Sequence, residues 1–505
     1  MGQPLNRGSQ TPIRLILLFI LFNDDFQHSM VFSSVTFLFY FLPLFLLCYA
    51  ILPFRNATAL LFSSIFYVWG EGIFVLLLVA SVMLNFICGQ LVSAAEKPAH
   101  GRYWLAFGIT VNLLLLFYFK YFGFFVFDLV GLDSFNPDRV PHLPLGISFF
   151  TFQSISYLID VYRRQATPAR SVWDLALYIM LFPQLIAGPI VRYSTVARQI
   201  RRRTLHLNYV RHGLLFFSVG LAQKVLIANN VAVVADPIFD LPLESLSTTL
   251  AWAGSLAYTL QIYFDFAGYS NMAIGLGLCM GFKFPRNFNY PYISQSITEF
   301  WRRWHMSLSS WFRDYLYIPL GGNRHGAFET YRNLFTVFVL CGLWHGAAWT
   351  FLWWGVYHGL LLVLERLWLG RLLVNVPRLI RHTYALGAII VGWVLFRAES
   401  VDQIQVFLLH MVGVGAVDGS EPGLRVFVGN QQLFFALVGI LASTPLLRRA
   451  FGLFITDRQV SFSRRQHSGG MLRNVLDASF VIVLLGICSL YIAAGTYNPF
   501  IYFRF

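Results

Sequence analysis

Phe300-Trp301-Arg302-Arg303-Trp304-His305 and Gly342-Leu343-Trp344-His345-Gly346-Ala347-Ala348-Trp349 decide how this chain is read. Each sets a histidine in aromatic sequence apolar enough for a lipid bilayer. His345 lies between Gly342 and Gly346 in an apolar run from Phe335 to Trp354. An ionisable side chain at membrane depth marks a functional site by default, and flanking glycines let a substrate or another backbone come close. Neutral imidazole can take a proton from a hydroxyl, as acyl transfer to an alcohol requires. The competing reading is a core histidine satisfied by a nearby carbonyl. On a helix at about 100° per residue, Phe300, Trp301, Trp304, Leu308, Trp311, Phe312 and Tyr315 form one stripe. Arg302, Arg303, Ser309, Ser310, Arg313 and Asp314 lie opposite, with His305 at the stripe's edge. This pattern predicts an amphipathic helix over 300–315 at the interface or against the bundle, its arginines toward head groups or cofactor phosphates. Pro319 and Gly321-Gly322 end it in a turn that Arg324 and His325 make basic. His358, on the opposite helix face from His345, reads as structural.

Working outward, the 505 residues are 57% hydrophobic and only 12% charged, about half the charge of a soluble domain. Apolar runs of bilayer length recur throughout, without the alternation of a barrel. The fold class is therefore an all-α polytopic membrane protein, with about ten to twelve transmembrane helices plus re-entrant and interfacial helices. The net charge of +14 is spread over short loops. It reads as topology signal and contact with anionic membrane lipids; no basic soluble face is present for nucleic acid. The five cysteines are scattered in apolar runs without a C-x-x-C pair, which predicts neither a disulfide framework nor a metal site. Cys341, one turn before His345, could act as a nucleophile or simply pack. Walker and G-x-S-x-G motifs are absent from the sequence, and the histidines lack the ligand spacing of zinc.

Residues 1–29 differ from the rest: a short apolar run, Leu15 to Phe22, cannot span. We expect an N-terminal extension there, translation from Met30, and a single membrane domain over 30–505. Spans are expected near 35–52, 57–69, 72–92, 103–127, 209–235, 247–264, 347–368, 383–396, 426–448 and 474–496, with an interfacial amphipathic helix at 401–415. Gln153, Tyr157 and Asp160 share one helix face that should avoid lipid. The run 173–190 is interrupted by Pro183, Gly188 and Pro189. It has arginines on both sides, so both ends should be cytoplasmic and the element re-entrant. Gln261 and Asp265, one turn apart, read either as a helix–helix hydrogen-bond pair or as a cavity wall.

The motif set resembles the membrane-bound O-acyltransferase family, and within it the bacterial alginate O-acetyltransferase branch. It comprises Pro144 to Gln153, Phe182 to Pro189, Tyr263 to Tyr269, Asn287 to Tyr292, Glu299 to His305, Arg313 to Tyr317, Gly321 to Arg324, Gly342 to Gly346 and Asn498 to Phe505. The resemblance covers 30–505. It implies a helical bundle with two opposed funnels joined by a central tunnel. It also implies that His345 is the catalytic histidine and His305 a second histidine in the tunnel. Gln153, Asp160, Gln261, Asp265, Trp304 and Trp344 would line the tunnel or a cavity. Arg302, Arg303, Arg313 and Arg324 would hold donor phosphates, or anchor lipid. The implied reaction moves acetyl from a cytoplasmic donor, acetyl-CoA, across the bacterial inner membrane, with no resident cofactor. A periplasmic acetyltransferase partner and a polysaccharide biosynthesis complex would complete transfer to alginate, or to cellulose or another cell-envelope glycan. Asn271, where the branch commonly has Asp, and Pro285-Arg286 depart from the pattern. A reading from another class is a transporter or flippase with Asp160, Gln261 and Asp265 along a polar path.

Overall fold

The computed structural model describes residues 30–132, 136, 140–415, 422–446, 471–495 and 497–499. The expectation for 1–29 lies outside them. Among the described residues every regular element is helical. Five helical runs are long and apolar enough to cross a membrane: Arg55–Ala94, Pro98–Leu129, Leu207–Phe239, Arg378–Arg397 and Asn474–Ala493. Phe37–Ile51 and Asn430–Ala442 are shorter apolar helices. The elements that build the site are α1 (Pro98–Leu116), α2 (Ile147–Tyr162), α3 (Val172–Met180), α4 (Tyr193–Arg201), α5 (Leu207–Ala222), α6 (Asn229–Phe239), α7 (Thr248–Cys279), α8 (Ile297–Arg303), α9 (Met306–Phe312), α10 (Ala327–His345), α11 (Trp349–Leu364), α12 (Arg378–Arg397) and α13 (Val401–Met411).

The span expected at 247–264 is longer and deeper than its composition suggested. It is α7, which runs on to Cys279 and is buried along most of its length. Gln261, Asp265 and Ser270 do not end it, because a helix packed on all sides can satisfy polar groups through its neighbours. Glycines set its closest contact. A Cβ on Gly268 would stand 2.7 Å from the Gly220 carbonyl, and one on Gly275 2.5 Å from the Gly213 carbonyl. The reciprocal pairs are two turns apart on both helices, so α5 and α7 meet backbone to backbone, as small-residue interfaces allow. The same device joins α10 to α11. A Cβ on Gly355 would lie 2.5 Å from the Phe338 carbonyl, and Gly342 faces the Gly355 backbone.

The charge pattern around 173–190 predicted that both ends lie on one side. Gln165, Thr167 and Arg170 line one cavity of about 600 Å³ together with Arg198, Arg201 and Arg202, so the two flanks are close in space. Arg201 also donates to Thr167 at 3.4 Å. The chain between them, α3 and the short turn Phe182–Leu185, is buried. The helix expected at 401–415 is α13. It turns Ile404, Phe407 and Met411 inward, with Phe407 stacked on Phe239 at 4.3 Å.

The expected continuous amphipathic helix over 300–315 is corrected. The chain breaks at Trp304–His305, and His305 adopts a left-handed conformation, φ 42° and ψ 53°. The break is held by 287–289: Asn289 N–H donates to the Arg303 carbonyl and Met306 N–H to the Asn287 carbonyl, both at 2.9 Å. Two tertiary bonds thus override a helical periodicity that the sequence carries intact. His305 is consequently buried at the break instead of lying on a stripe edge.

Candidate active site

α8 begins with Ser296 accepting from Glu299 N–H at 3.0 Å, a side-chain cap. Glu365 reaches in from beyond α11 and accepts from the N–H groups of Ile297 and Thr298, at 2.6 and 2.9 Å. The start of α8 is therefore fixed, and with it the position of the break one helix length later. At the break, Nδ1 of His305 stands 3.1 Å from Asn287 Oδ1, and its ring meets Phe266 edge-on at 4.6 Å.

His345 is the last residue of α10, one turn after the Gly342–Gly355 crossing. The crossing answers what the flanking glycines are for: Gly342 lets α11 come close, and Gly346 sits under the Phe351 ring. Trp344, Trp354 and Phe396 surround the imidazole at centroid distances of 4.9, 5.1 and 5.0 Å. Both are buried, His345 at 8% exposed and His305 at 1%, so His345 is the less deeply enclosed of the two. Trp344 also faces His305 at 6.3 Å. The structure thus brings both histidines against one indole. Phe149 and Phe152 pack the same indole at 5.6 and 5.3 Å.

The end of α10 is gripped from the run that follows α1. Lys120 donates to the carbonyls of Trp344 and His345, at 2.5 and 3.0 Å, and to Ser148 Oγ at 3.3 Å. Tyr121 donates to the Leu343 carbonyl at 2.8 Å. The last carbonyls of a helix have no partner within it, and here three in succession are capped from one π-helical turn, Phe117–Tyr121. All three ammonium protons are used, so Lys120 is placed to hold the helix end and has no proton left for a substrate. We expect Lys120→Met to lower turnover about 100-fold, the cost of a displacement of about 1 Å at a reacting group, with KM much less affected. Lys120→Arg should recover part of the loss. Steady-state kinetics on the purified variants checks this.

The remaining expected site residues divide. Gln153 is buried, and neither amide atom has a hydrogen-bond partner among the described residues. Asp160 is occupied by the Tyr315 hydroxyl at 2.7 Å, about 12 Å along α2 from Phe152 at 1.5 Å per residue. Gln261 and Asp265 share a face but do not bond each other. Gln261 donates to Asp236 at 3.3 Å, and Asp265 pairs with Lys224 at 2.7 Å. Trp304 packs on Trp393 at 4.7 Å. Arg303 pairs with Glu299 at 2.8 Å and Arg313 with Asp314 at 2.6 Å. Burial pushes the Asp314 carboxyl up, but Arg313 and Arg192 outweigh it and hold the group below the usual carboxylate range. Arg302 and Arg324 are exposed. Asn271, the departure from the family pattern, donates to Gln223 at 2.7 Å.

Sequence reasoning missed Lys120, Tyr121 and Asn287 as parts of the site. Lys120 carried a signal, a lone charge inside an apolar run. Asn287 carried none beyond its place in a motif, since its partners are 17 to 20 residues away.

Several bilayer-length apolar runs, in a chain whose described elements are all helical, define a multi-pass membrane protein, and two buried histidines share one indole in it. Comparison with known proteins names the class. The model of the membrane-bound O-acyltransferase family matches residues 170–403. A probable alginate O-acetylase of Pseudomonas putida is 43% identical over 503 residues, covering 94% of this chain and 100% of that protein. Its counterpart in Azotobacter vinelandii is 41% identical, with the same coverage. A peptidoglycan O-acetyltransferase of Helicobacter pylori is 35% identical, covering 94% and 98%. The chain belongs to the membrane-bound O-acyltransferase family and is an O-acyltransferase.

Proposed function

We propose that the chain transfers acetyl groups from acetyl-CoA on the cytoplasmic side of the bacterial inner membrane to an exported polysaccharide, alginate. The observation that carries this reading is the placement of His345 and His305 against one indole, with His345 the more accessible. His345 takes the proton of the attacking hydroxyl, directly or as a shuttle. His305 orients a reactant across a tunnel between two funnels, lined by Trp344, Trp304, Gln153 and, further out, Asp160, Gln261 and Asp265. Arg302 and Arg324, with Arg303 and Arg313 behind their carboxylates, hold donor phosphates. Residues 30–505 form one domain whose shorter helices bring the spans to ten to twelve and whose 173–190 element is re-entrant. A periplasmic acetyltransferase and a polysaccharide biosynthesis complex complete the transfer.

The test is reconstitution of purified protein in lipid with labelled acetyl-CoA, with and without periplasmic extract, and with alginate, cellulose or peptidoglycan as acceptor. Label should enter alginate and need the extract. Label in peptidoglycan instead would favour the second reading, to which the relative of that name gives weight. Absence of any donor turnover would remove acetyl-CoA as donor. Against the transporter reading stand the membership in an acyltransferase family and the engagement of Asp160, Gln261 and Asp265 by Tyr315, Asp236 and Lys224.

A further inference from the structure

Asn287 sits at the centre of a small buried network. Its Nδ2 donates to Ser270 Oγ at 3.0 Å. Its Oδ1 accepts from the backbone N–H of Ser307 at 3.3 Å and from the Ser307 hydroxyl at 2.9 Å, and lies 3.1 Å from His305 Nδ1. A backbone N–H can only donate, so the amide atom facing Ser307 is the oxygen and the carboxamide orientation is fixed. A carboxamide oxygen has no proton to give. The proton between Asn287 and His305 therefore sits on Nδ1, and in the neutral ring the lone pair is on Nε2. Nε2 is buried and has no hydrogen-bond partner among the described residues. A buried acceptor left unmade costs about 1–3 kcal/mol, and native folds retain such an atom where a ligand, water or reaction supplies the partner.

We propose that Asn287 is a positioning residue that fixes His305 as a hydrogen-bond acceptor, so that Nε2 grips the hydroxyl of the acyl acceptor. The inference rests on the reading of His305 as a site residue and chooses between the two roles left open for it. The acetyl carbonyl of the donor has no proton to donate to Nε2, whereas the hydroxyl of an alcohol acceptor has one. His305 therefore orients the acceptor, and His345, on the same indole, is left to take the proton. The charged and titratable groups around His305 are few. His345 packs on the same Trp344 indole, and Lys120 is bound at the end of α10. Arg303, two residues earlier, is paired with Glu299. Lys224 and Asp265 pair between α5 and α7. Among the described residues none of these carboxylates hydrogen-bonds His305.

Asn287→Asp and Asn287→Leu separate the role from mere packing. Aspartate keeps an acceptor oxygen for Nδ1–H, and its charge favours the imidazolium, which cannot accept a hydrogen bond. Asn287→Asp should therefore be most active at high pH and lose activity as pH falls, with the acid limb of the pH–rate profile moved up by about 1 to 3 units relative to wild type. Asn287→Leu leaves the tautomer undetermined and should lower kcat/KM for the acceptor 10- to 100-fold at every pH, with donor KM unchanged. The measurement is initial rate against pH and acceptor concentration, on variants that insert and elute as wild type does. Equal loss in both variants with an unmoved acid limb, or wild-type kcat/KM in Asn287→Leu, would overturn the proposal. His305→Ala serves as the control. If it kept full activity, the reading of His305 itself would fail. If it were inactive while the Asn287 variants gave the negative pattern, only the positioning role would fail.

Discussion

His345→Ala abolishes acyl transfer while the protein still inserts: turnover falls at least 100-fold and as much as 10,000-fold, the range removed with a general base. The argument is positional. The imidazole stands at the end of α10, held by a glycine crossing on one side and by Lys120 and Tyr121 on the other. Three aromatic rings surround it, and none can accept a proton. His305 does not substitute, since its Nδ1 is engaged by Asn287 and it is the more deeply buried of the two. His345→Gln keeps most of the volume and a hydrogen-bonding end but cannot take a proton, so it should lose as much activity as alanine with a smaller loss of stability. Acetyl content of the polysaccharide in a strain lacking the native gene, together with donor turnover by purified variants, checks both. Wild-type acetyl content in His345→Ala would end the assignment.

Most of the helices were legible because bilayer-length apolar runs leave the chain few alternatives. Pro98–Leu129, Leu207–Phe239, Arg378–Arg397 and Asn474–Ala493 each lie where hydropathy predicts a span. The arginines on both sides of 173–190 pointed to two ends that lie close together, and residues flanking both ends line one cavity. The break at His305 was not, since the stripe from Phe300 to Tyr315 is periodic on either side. It is imposed by the backbone of 287–289, a contact that no local pattern encodes. The depth of α7 was hidden too. Its glycines become informative only when paired with Gly213 and Gly220 on another helix.

The site divides in the same way. His345 could be singled out because an ionisable group between glycines in apolar sequence is costly without a reason. Gln261 and Asp265 do share a face, but the sequence names no partner for either. Periodicity says which side of a helix a residue is on and nothing about what stands opposite. Asp236 and Lys224 are supplied by α6 and by the turn after α5. The family motifs pointed at Asn287 without saying why. The reason is a set of hydrogen bonds to Ser270, His305 and Ser307 that exists only once α7 and the break are in place.

Asp265→Ala should cost about 3–5 kcal/mol of stability, the penalty for leaving one member of a buried ion pair without its counter-charge. Lys224 and Asp265 are 3% and 2% exposed and 2.7 Å apart. Their register is set by the Gly220–Gly268 contact, one helical turn away on each helix. Lys224→Met should destabilise similarly, through the stranded carboxylate. The double variant Lys224→Met/Asp265→Leu should recover most of the loss, because an apolar pair of similar volume avoids the desolvation of both charges. A coupling energy of several kcal/mol in the double-mutant cycle is the expected readout of thermal unfolding in detergent. The same cycle decides what Asp265 is for. A double variant that is stable and still transfers acetyl groups makes the pair a bolt between α5 and α7. A double variant that is stable and inactive places Asp265 on the path of the reactants, as the cavity reading of the sequence holds. The pairing with Lys224, in place of Gln261, favours the first outcome.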